Sequence, residues 1–420
     1  MTSPPLVTPF RGERFASGRG DLSRLIAPPY DVITAEQRQR YAALDPHNIV
    51  HLILPEAPGG ADKYASAAQT LAAWRHSGVL SREPGPSVYV VAQIFVLPNG
   101  ERRTRVGMFG AVVAEPYDRR RIRPHERTHS GPKADRLALL RATATSLESI
   151  FLIAPDDAGA LAAALRSVTD GARTPDASAE LDGVQIMVWV VAGDEGARLA
   201  QLASAGALYI ADGHHRYETA VAYSQEERGA DRLTGFIVSA RDSGLAVLAT
   251  HRLIYAVGRD FTQLHDGWGR WFEISKVPPA ADRMELLKEQ GRDRTACIVA
   301  LRGEASDLLL RLRPNAPLDT LPELGRSPAA RSLDVAIVER LVVQEILAAG
   351  TSTPTLTFTP EAKRALDLAH AGKTTASVLL NPTRIEQVIA VADAGDYMPP
   401  KSTYFTPKVP SGLVLKSARE

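Results

Sequence analysis

Two β-rich runs, residues 88–97 and 103–114, flank the dipeptide Asn99-Gly100, and this constrains the fold more than any other feature of the chain. Asn and Gly accept the positive φ angles of a tight hairpin turn, so the two runs are predicted to pair antiparallel. Downstream the pattern changes. Helical periodicity and short apolar runs alternate: helix at 160–168, strand at 184–192, helix at 195–205, strand at 207–211, and helix from 213 to about 227. Such alternation predicts an α/β layer. Together the two patterns give a mixed α/β (α+β) fold class.

Upstream, Thr34 is predicted to cap a helix carrying Glu36, Gln37 and Tyr41, the apolar run 49–54 to be a buried strand, and 62–76 to be a second helix. Leu137, Leu140, Ala144 and Leu147 recur at helical spacing before a strand at 149–154. Strands are expected near 235–239, 245–250, 296–301, 307–312 and 376–380, and helices near 261–271, 333–348 and 361–371. Residues 1–33 and 398–405 are rich in proline and lack periodicity, so both read as structured loops. A chain of 420 residues with 45% hydrophobic content is long enough for two or three cores. Three regions are expected: 1–116 with the hairpin, 117–256, and 257–420.

The 49 basic residues nearly cancel the 48 acidic ones, leaving a formal charge of +1. No whole-molecule field draws such a chain to nucleic acid or anionic lipid, so any anion site must be local. The single cysteine, Cys297, excludes a disulfide within the chain and sits in an apolar run that reads as a buried strand, a poor setting for a reactive thiol. Residues 1–15 have no apolar core of a secretory signal, and runs such as 184–192 fall short of the ~20 residues that span a bilayer. A soluble, cytoplasmic protein is expected, with no membrane association.

Chemistry concentrates at Asp212-Gly213-His214-His215-Arg216, where an apolar strand ends and a helix begins. A helix start presents unpaired N–H groups and about half a positive charge, which favours a phosphate. Gly213 lets the backbone approach, while His214, His215 and Arg216 add donors, Arg216 with a bidentate grip. Two plainer readings compete. Asp212 can be an ordinary N-cap beside a glycine that relieves a tight turn. The two histidines can bind a metal, although adjacent helical positions point about 100° apart, so no metal site is assigned.

A second constellation is Arg123-Pro124-His125-Glu126-Arg127-Thr128-His129 with Lys133. Glu126 is a candidate general base, and His125, Arg127 and Lys133 can neutralise phosphate charge; the alternative is a charged surface loop. Lys401-Ser402-Thr403-Tyr404, Tyr30-Asp31 and His251-Arg252 are weaker candidates for pocket residues. The common phosphate loops, G-x-x-x-x-G-K-[ST] and a post-strand G-x-G-x-x-G, are absent from the sequence.

Pro28-Pro29-Tyr30-Asp31-Val32-Ile33, Pro124-His125-Glu126-Arg127-Thr128, Pro132-Lys133-Ala134-Asp135-Arg136, the stretch 210–217 and the stretch 398–405 together resemble the prokaryotic domain-of-unknown-function family numbered 1015. The likeness runs over nearly the whole chain. A shorter one, over 123–224, makes the 210–217 box similar to the ParB/sulfiredoxin superfamily, whose nucleotide-binding members carry a Gly-x-x-Arg turn at a helix start and include free-serine kinases. That resemblance implies a ParB/sulfiredoxin-like module between N- and C-terminal α/β regions, with Gly213 and Arg216 holding nucleotide phosphates. It also implies Glu126 as base, with His214 and His215 filling the variable slots of the turn. An insert of some sixty residues separates the Glu126 segment from the box.

The expected function is phosphoryl transfer between ATP or ADP and a small hydroxylated metabolite, serine or phosphoserine first, with Mg²⁺ as the nucleotide's companion. A phosphatase acting on a phosphorylated amino acid, with His214 or His215 as the catalytic residue that protonates the leaving oxygen or accepts the phosphoryl group, is the enzymatic rival. A nucleotide-sensing or DNA-linked binding protein is the rival of another class, and the neutral charge balance argues against a nucleic-acid partner. The oligomeric state is left open, a homodimer included.

Overall fold

The computed structural model describes residues 4–255, 262–349 and 354–419. The chain forms two compact units where three regions were expected: residues 1–124, 128–246 and 407–420 make the first, and residues 125–127 and 247–406 the second. The expected boundary at 256/257 and the helix start at Phe261 fall outside the described residues.

The first unit is built on a nine-stranded sheet. Its strands in chain order are Val7–Thr8 (β1), Ser87–Val96 (β2), Arg102–Val113 (β3), Ile122–Arg123 (β4), Ile150–Ala154 (β5), Ala177–Leu181 (β6), Val184–Ala192 (β7), Leu208–Asp212 (β8) and Arg232–Ser239 (β9). In space they run β4-β8-β5-β9-β3-β2-β7-β6, with β1 against the far end of β3. The hairpin of β2 and β3 forms as predicted, Tyr89 opposite Phe109. It belongs to this sheet rather than to a region of its own, because β3 also hydrogen-bonds along β9. Only β4 with β8 and β5 with β9 are parallel pairs.

The α-helices of this unit that precede β8 are Ala35–Leu44 (α1), Val50–Ile53 (α2), Lys63–His76 (α3), Ser130–Thr143 (α4), Ala160–Thr169 (α5) and Gly193–Ala203 (α6). Leu161 and Leu165 of α5 and Leu199 and Ala203 of α6 bury against Val88, Val90 and Leu152 of the sheet. The predicted strand at 49–54 is instead the short helix α2. Asn48 explains it: its side chain accepts the Val50 N–H at 2.9 Å and donates to the carbonyls of Arg24 and Ile26 at 2.7 and 3.1 Å. A short buried apolar run does not by itself distinguish strand from helix. Likewise α4 stops before Leu147, because Ala144 turns left-handed at φ 45°. Among the described residues no helix is long and apolar enough to cross a membrane.

The second unit carries a six-stranded sheet of His251–Tyr255 (β10), Phe272–Lys276 (β11), Ala296–Leu301 (β12), Leu308–Leu312 (β13), Thr355–Thr359 (β14) and Ala376–Leu380 (β15), in the order β11-β13-β12-β15-β10-β14. All neighbours are antiparallel. Besides the two-residue strands β1 and β4, three strands escaped the periodicity, β6, β11 and β14, each of them at an edge of its sheet with polar residues through it. Leu287 and Ala365 from two helices pack over Leu253, Ile298 and Leu379 to make this unit's core. Cys297 is fully buried in β12, and burial pushes its thiol far up, which leaves an inert side chain.

Candidate functional site

β8 lies between β4 and β5, and Leu208 to Ala211 are all buried. Its register against β5 shifts between Ile210 and Asp212, so the strand bends as it leaves the sheet. Gly213 then adopts φ 93°, ψ 29° and opens the helix His214–Glu226 (α7). Only glycine fits here: a Cβ would add left-handed strain and lie 3.1 Å from both the Arg216 guanidinium carbon and Ile150 Cγ2. The N-cap is Gly213, which has no side chain to offer, and the Asp212 carboxylate serves other partners. A helix start of this kind has anion-attracting character.

The carboxylate of Asp212 is committed elsewhere. One oxygen accepts from Arg216 Nη2, the other from Lys408 Nζ at 2.6 Å. Burial alone would raise its pKa, but Lys408 and Arg216, with His214 adding to them, hold it well below the usual carboxylate range. Arg216 is almost wholly buried and also donates to the Ser149 carbonyl. The bidentate phosphate grip expected of Arg216 thus gives way to a framework role, in which the guanidinium ties the end of β8 to the start of β5. His214 is buried as well, its charge felt at Asp212.

Around this turn the first unit gathers residues distant in sequence. Asp31 is exposed, and its charge raises both Arg216 and His215. The Tyr30 N–H donates to Glu148 Oε1 at 2.9 Å, and the Arg136 guanidinium stacks 4.1 Å over the Tyr30 ring. Burial, with Asp31 beside it, pushes the Tyr30 phenol up to about 12, so it stays a donor. Lys133 and Thr128 both donate to Glu218 Oε2, at 2.9 and 2.7 Å. The His129 N–H donates to His215 Nε2 at 2.9 Å, so the His215 proton sits on Nδ1. Burial first, then His129, lowers the His215 pKa, which keeps the ring neutral. Behind Arg216, a cavity of about 60 Å³ lined by Arg136, Leu139, Thr219 and Ala220 has room for waters but not for a nucleotide.

The second sequence constellation is divided by the fold. Residues 128–136 stay with the first unit, whereas His125, Glu126 and Arg127 belong to the second. There His125 Nε2 meets Thr403 Oγ1 at 3.3 Å, the His125 carbonyl accepts the Met398 N–H at 2.8 Å, and Arg127 lies 5.2 Å over the Tyr397 ring. Two motifs nearly 280 residues apart therefore form one cluster in the second unit. Ser402 is buried and donates to the Pro399 carbonyl, Lys401 is exposed at φ 58°, and Tyr404 opens a short strand.

His251 and Arg252 do not line a pocket. Both are buried in β10: His251 Nδ1 accepts the Leu380 N–H at 3.3 Å, and Arg252 holds the Thr250 carbonyl and Glu339. Burial, with Arg252 adding to it, drops the His251 pKa to about 4. Sequence reasoning missed Lys408, Glu148 and Ser149. Lys408 stands in an aperiodic tail between Pro407 and Pro410, where no pattern marks a site. Among the described residues no group of three His, Cys, Asp or Glu could hold a metal ion by itself.

The family model described as "Protein of unknown function (DUF1015)" matches residues 7–336. Among solved structures, a free serine kinase mutant in complex with AMP aligns with 71% of this chain and 87% of its own, at 12% identity and TM-score 0.38. A conserved hypothetical protein from Pyrococcus furiosus aligns over 74% and 95%, at 13% identity and TM-score 0.36. SbnI with a C-terminal truncation, from Staphylococcus aureus, aligns over 74% and 88%, at 9% identity and TM-score 0.37. No curated protein matches.

Proposed function

The chain belongs to the DUF1015 family, and for this member we propose phosphoryl transfer between a nucleotide, ATP or ADP, and a small hydroxylated metabolite, free serine or phosphoserine being the first to try. The observation that carries the reading is the Gly213 turn: a left-handed glycine at a strand end opens a 13-residue helix, with Arg216 and Lys408 both on the carboxylate just before it. The first amides of that helix would hold the nucleotide phosphates, and Arg216 would fix the turn's shape from beneath. In the transfer, the bond from phosphorus to the nucleotide oxygen breaks, a bond to the acceptor hydroxyl oxygen forms, and the hydroxyl proton passes to a carboxylate. Positioning and charge neutralisation do most of such work, since the protein forms no covalent bond.

Two carboxylates compete for the proton. Glu126 is the one the resemblance implies, with His125 and Arg127 beside it in sequence as charge partners. Asp31 has the stronger physical case, because its charge is felt at both Arg216 and His215. Tyr30 would donate to substrate from its protonated phenol. A phosphohistidine route through His215 is disfavoured, because its Nε2 lone pair already accepts the His129 N–H. Mg²⁺ would arrive with the nucleotide.

Phosphorus NMR of the purified protein with ATP or ADP and serine or phosphoserine tests this. Nucleotide-dependent transfer is expected, reduced roughly 10²- to 10⁴-fold by substitution of the true base, Asp31→Asn against Glu126→Gln. Phosphoserine hydrolysis without nucleotide would turn the assignment to a phosphatase. Full turnover in a folded Arg216→Ala variant would remove the turn from the mechanism altogether.

A further inference from the structure

Asp212 lies at the mouth of the proposed phosphate turn, where a bare carboxylate would repel an anion. Arg216 cancels that charge once. Lys408, at 2.6 Å from the other oxygen, makes the trio of Asp212, Arg216 and Lys408 positive by one. The ammonium arrives on residues 407–418, which return to the first unit after the whole of the second.

That return is held at many points. Arg105 Nη2 donates to the Pro407 carbonyl at 2.7 Å, and Gln93 Nε2 donates to the Lys408 carbonyl at 3.2 Å. Arg105 is fully buried, 4.7 Å over the Phe151 ring and 5.5 Å over that of Phe236, and burial lowers its pKa to about 9. A guanidinium so deep is costly to place, and here it fixes the Pro407 carbonyl before the lysine while Gln93 holds the Lys408 carbonyl after it. Further along, Ser411 exchanges backbone hydrogen bonds with Ala27, and its hydroxyl reaches Glu148 Oε1 at 3.3 Å, the oxygen that also takes the Tyr30 N–H.

We propose that Lys408 is a positioning residue of the site, which neutralises Asp212 so that an anionic ligand is accepted at the turn, and that the strap 407–418 exists to deliver it. This rests on the phosphotransfer reading. The family match ends at residue 336, so the assignment adds a working part outside the matched segment.

Calorimetric titration with ADP and with inorganic phosphate, at two salt concentrations, decides it. Lys408→Met is expected to weaken ADP at least tenfold and to flatten the salt dependence, and Lys408→Arg to stay within about threefold of wild type. The double variant D212N/K408M keeps the trio at plus one, so it is expected to regain affinity to within about threefold, even where K408M alone proves too unstable to assay. A merely structural lysine would make the double variant worse. Wild-type binding with an unchanged K408M and an unchanged salt slope overturns the inference alone, as does a folded double variant that binds tenfold more weakly. Wild-type protein that binds neither ADP nor phosphate overturns the phosphotransfer reading and this inference together.

Discussion

Arg216 and Arg252 look alike in the sequence, each an arginine after a histidine at a strand boundary, and the fold treats them differently. Arg252 has a carbonyl, Glu339 and the Phe358 ring around it, in the interior of the second unit's sheet. Arg216 shares its carboxylate with Lys408 and stands within one helical turn of the Gly213 helix start. The first arrangement closes on itself at zero charge. The second shares one carboxylate between two cations at a helix start, with Asp31 and Glu148 also acting on Arg216. Residue type at a strand boundary is thus a weak guide to function, and the charge count of the surrounding shell a better one.

The largest expected effect tests the closed arrangement. Arg252→Ala should cost about 3–5 kcal/mol of stability in denaturant titration by leaving Glu339 uncompensated, with ADP affinity unchanged; lost affinity at full stability would blur the contrast. Next comes pH. His251, lowered to about 4, is neutral in the folded protein while the unfolded chain takes a proton near 6.5. Its contribution is complete above 6.5 and is lost as pH falls toward 4, by about 3 kcal/mol at 1.4 kcal/mol per unit. His251→Asn should flatten the unfolding free energy over that window, and an unaltered slope would move the titration to another group.

A smaller effect tests the open arrangement. Gly213→Ala, at φ 93° and with its new Cβ 3.1 Å from Arg216, should cost about 1–3 kcal/mol in thermal unfolding and shift the guanidinium enough to weaken ADP. A substitution that leaves both unaltered would show that the turn tolerates a side chain. The smallest effect is on Cys297, whose reaction with a thiol reagent should track unfolding and leave turnover intact. Rapid labelling of the native protein would show that the core of the second unit opens readily around Cys297.

How much was legible follows from what each signal rests on. The hairpin at Asn99-Gly100, the capping box of Thr34 and Gln37, and the strand-to-helix turn at Gly213 were readable because each is set by residues a few positions apart. The helix at 50–53 was not, because Asn48 acts through carbonyls more than twenty residues away. The edge strands failed for want of apolar alternation.

By itself the sequence determined the mixed α/β class, the placing of Gly213 at the start of a helix and the inertness of Cys297, since these depend on local backbone preference and apolar period. Only the tertiary structure decided that Asp212 holds cations rather than caps a helix, that 125–127 parts from 128–136, that His251 and Arg252 are interior, and that Lys408 joins the turn. Each of those is a charge or contact balance between segments far apart along the chain, and such balances exist only once folding has brought the segments together.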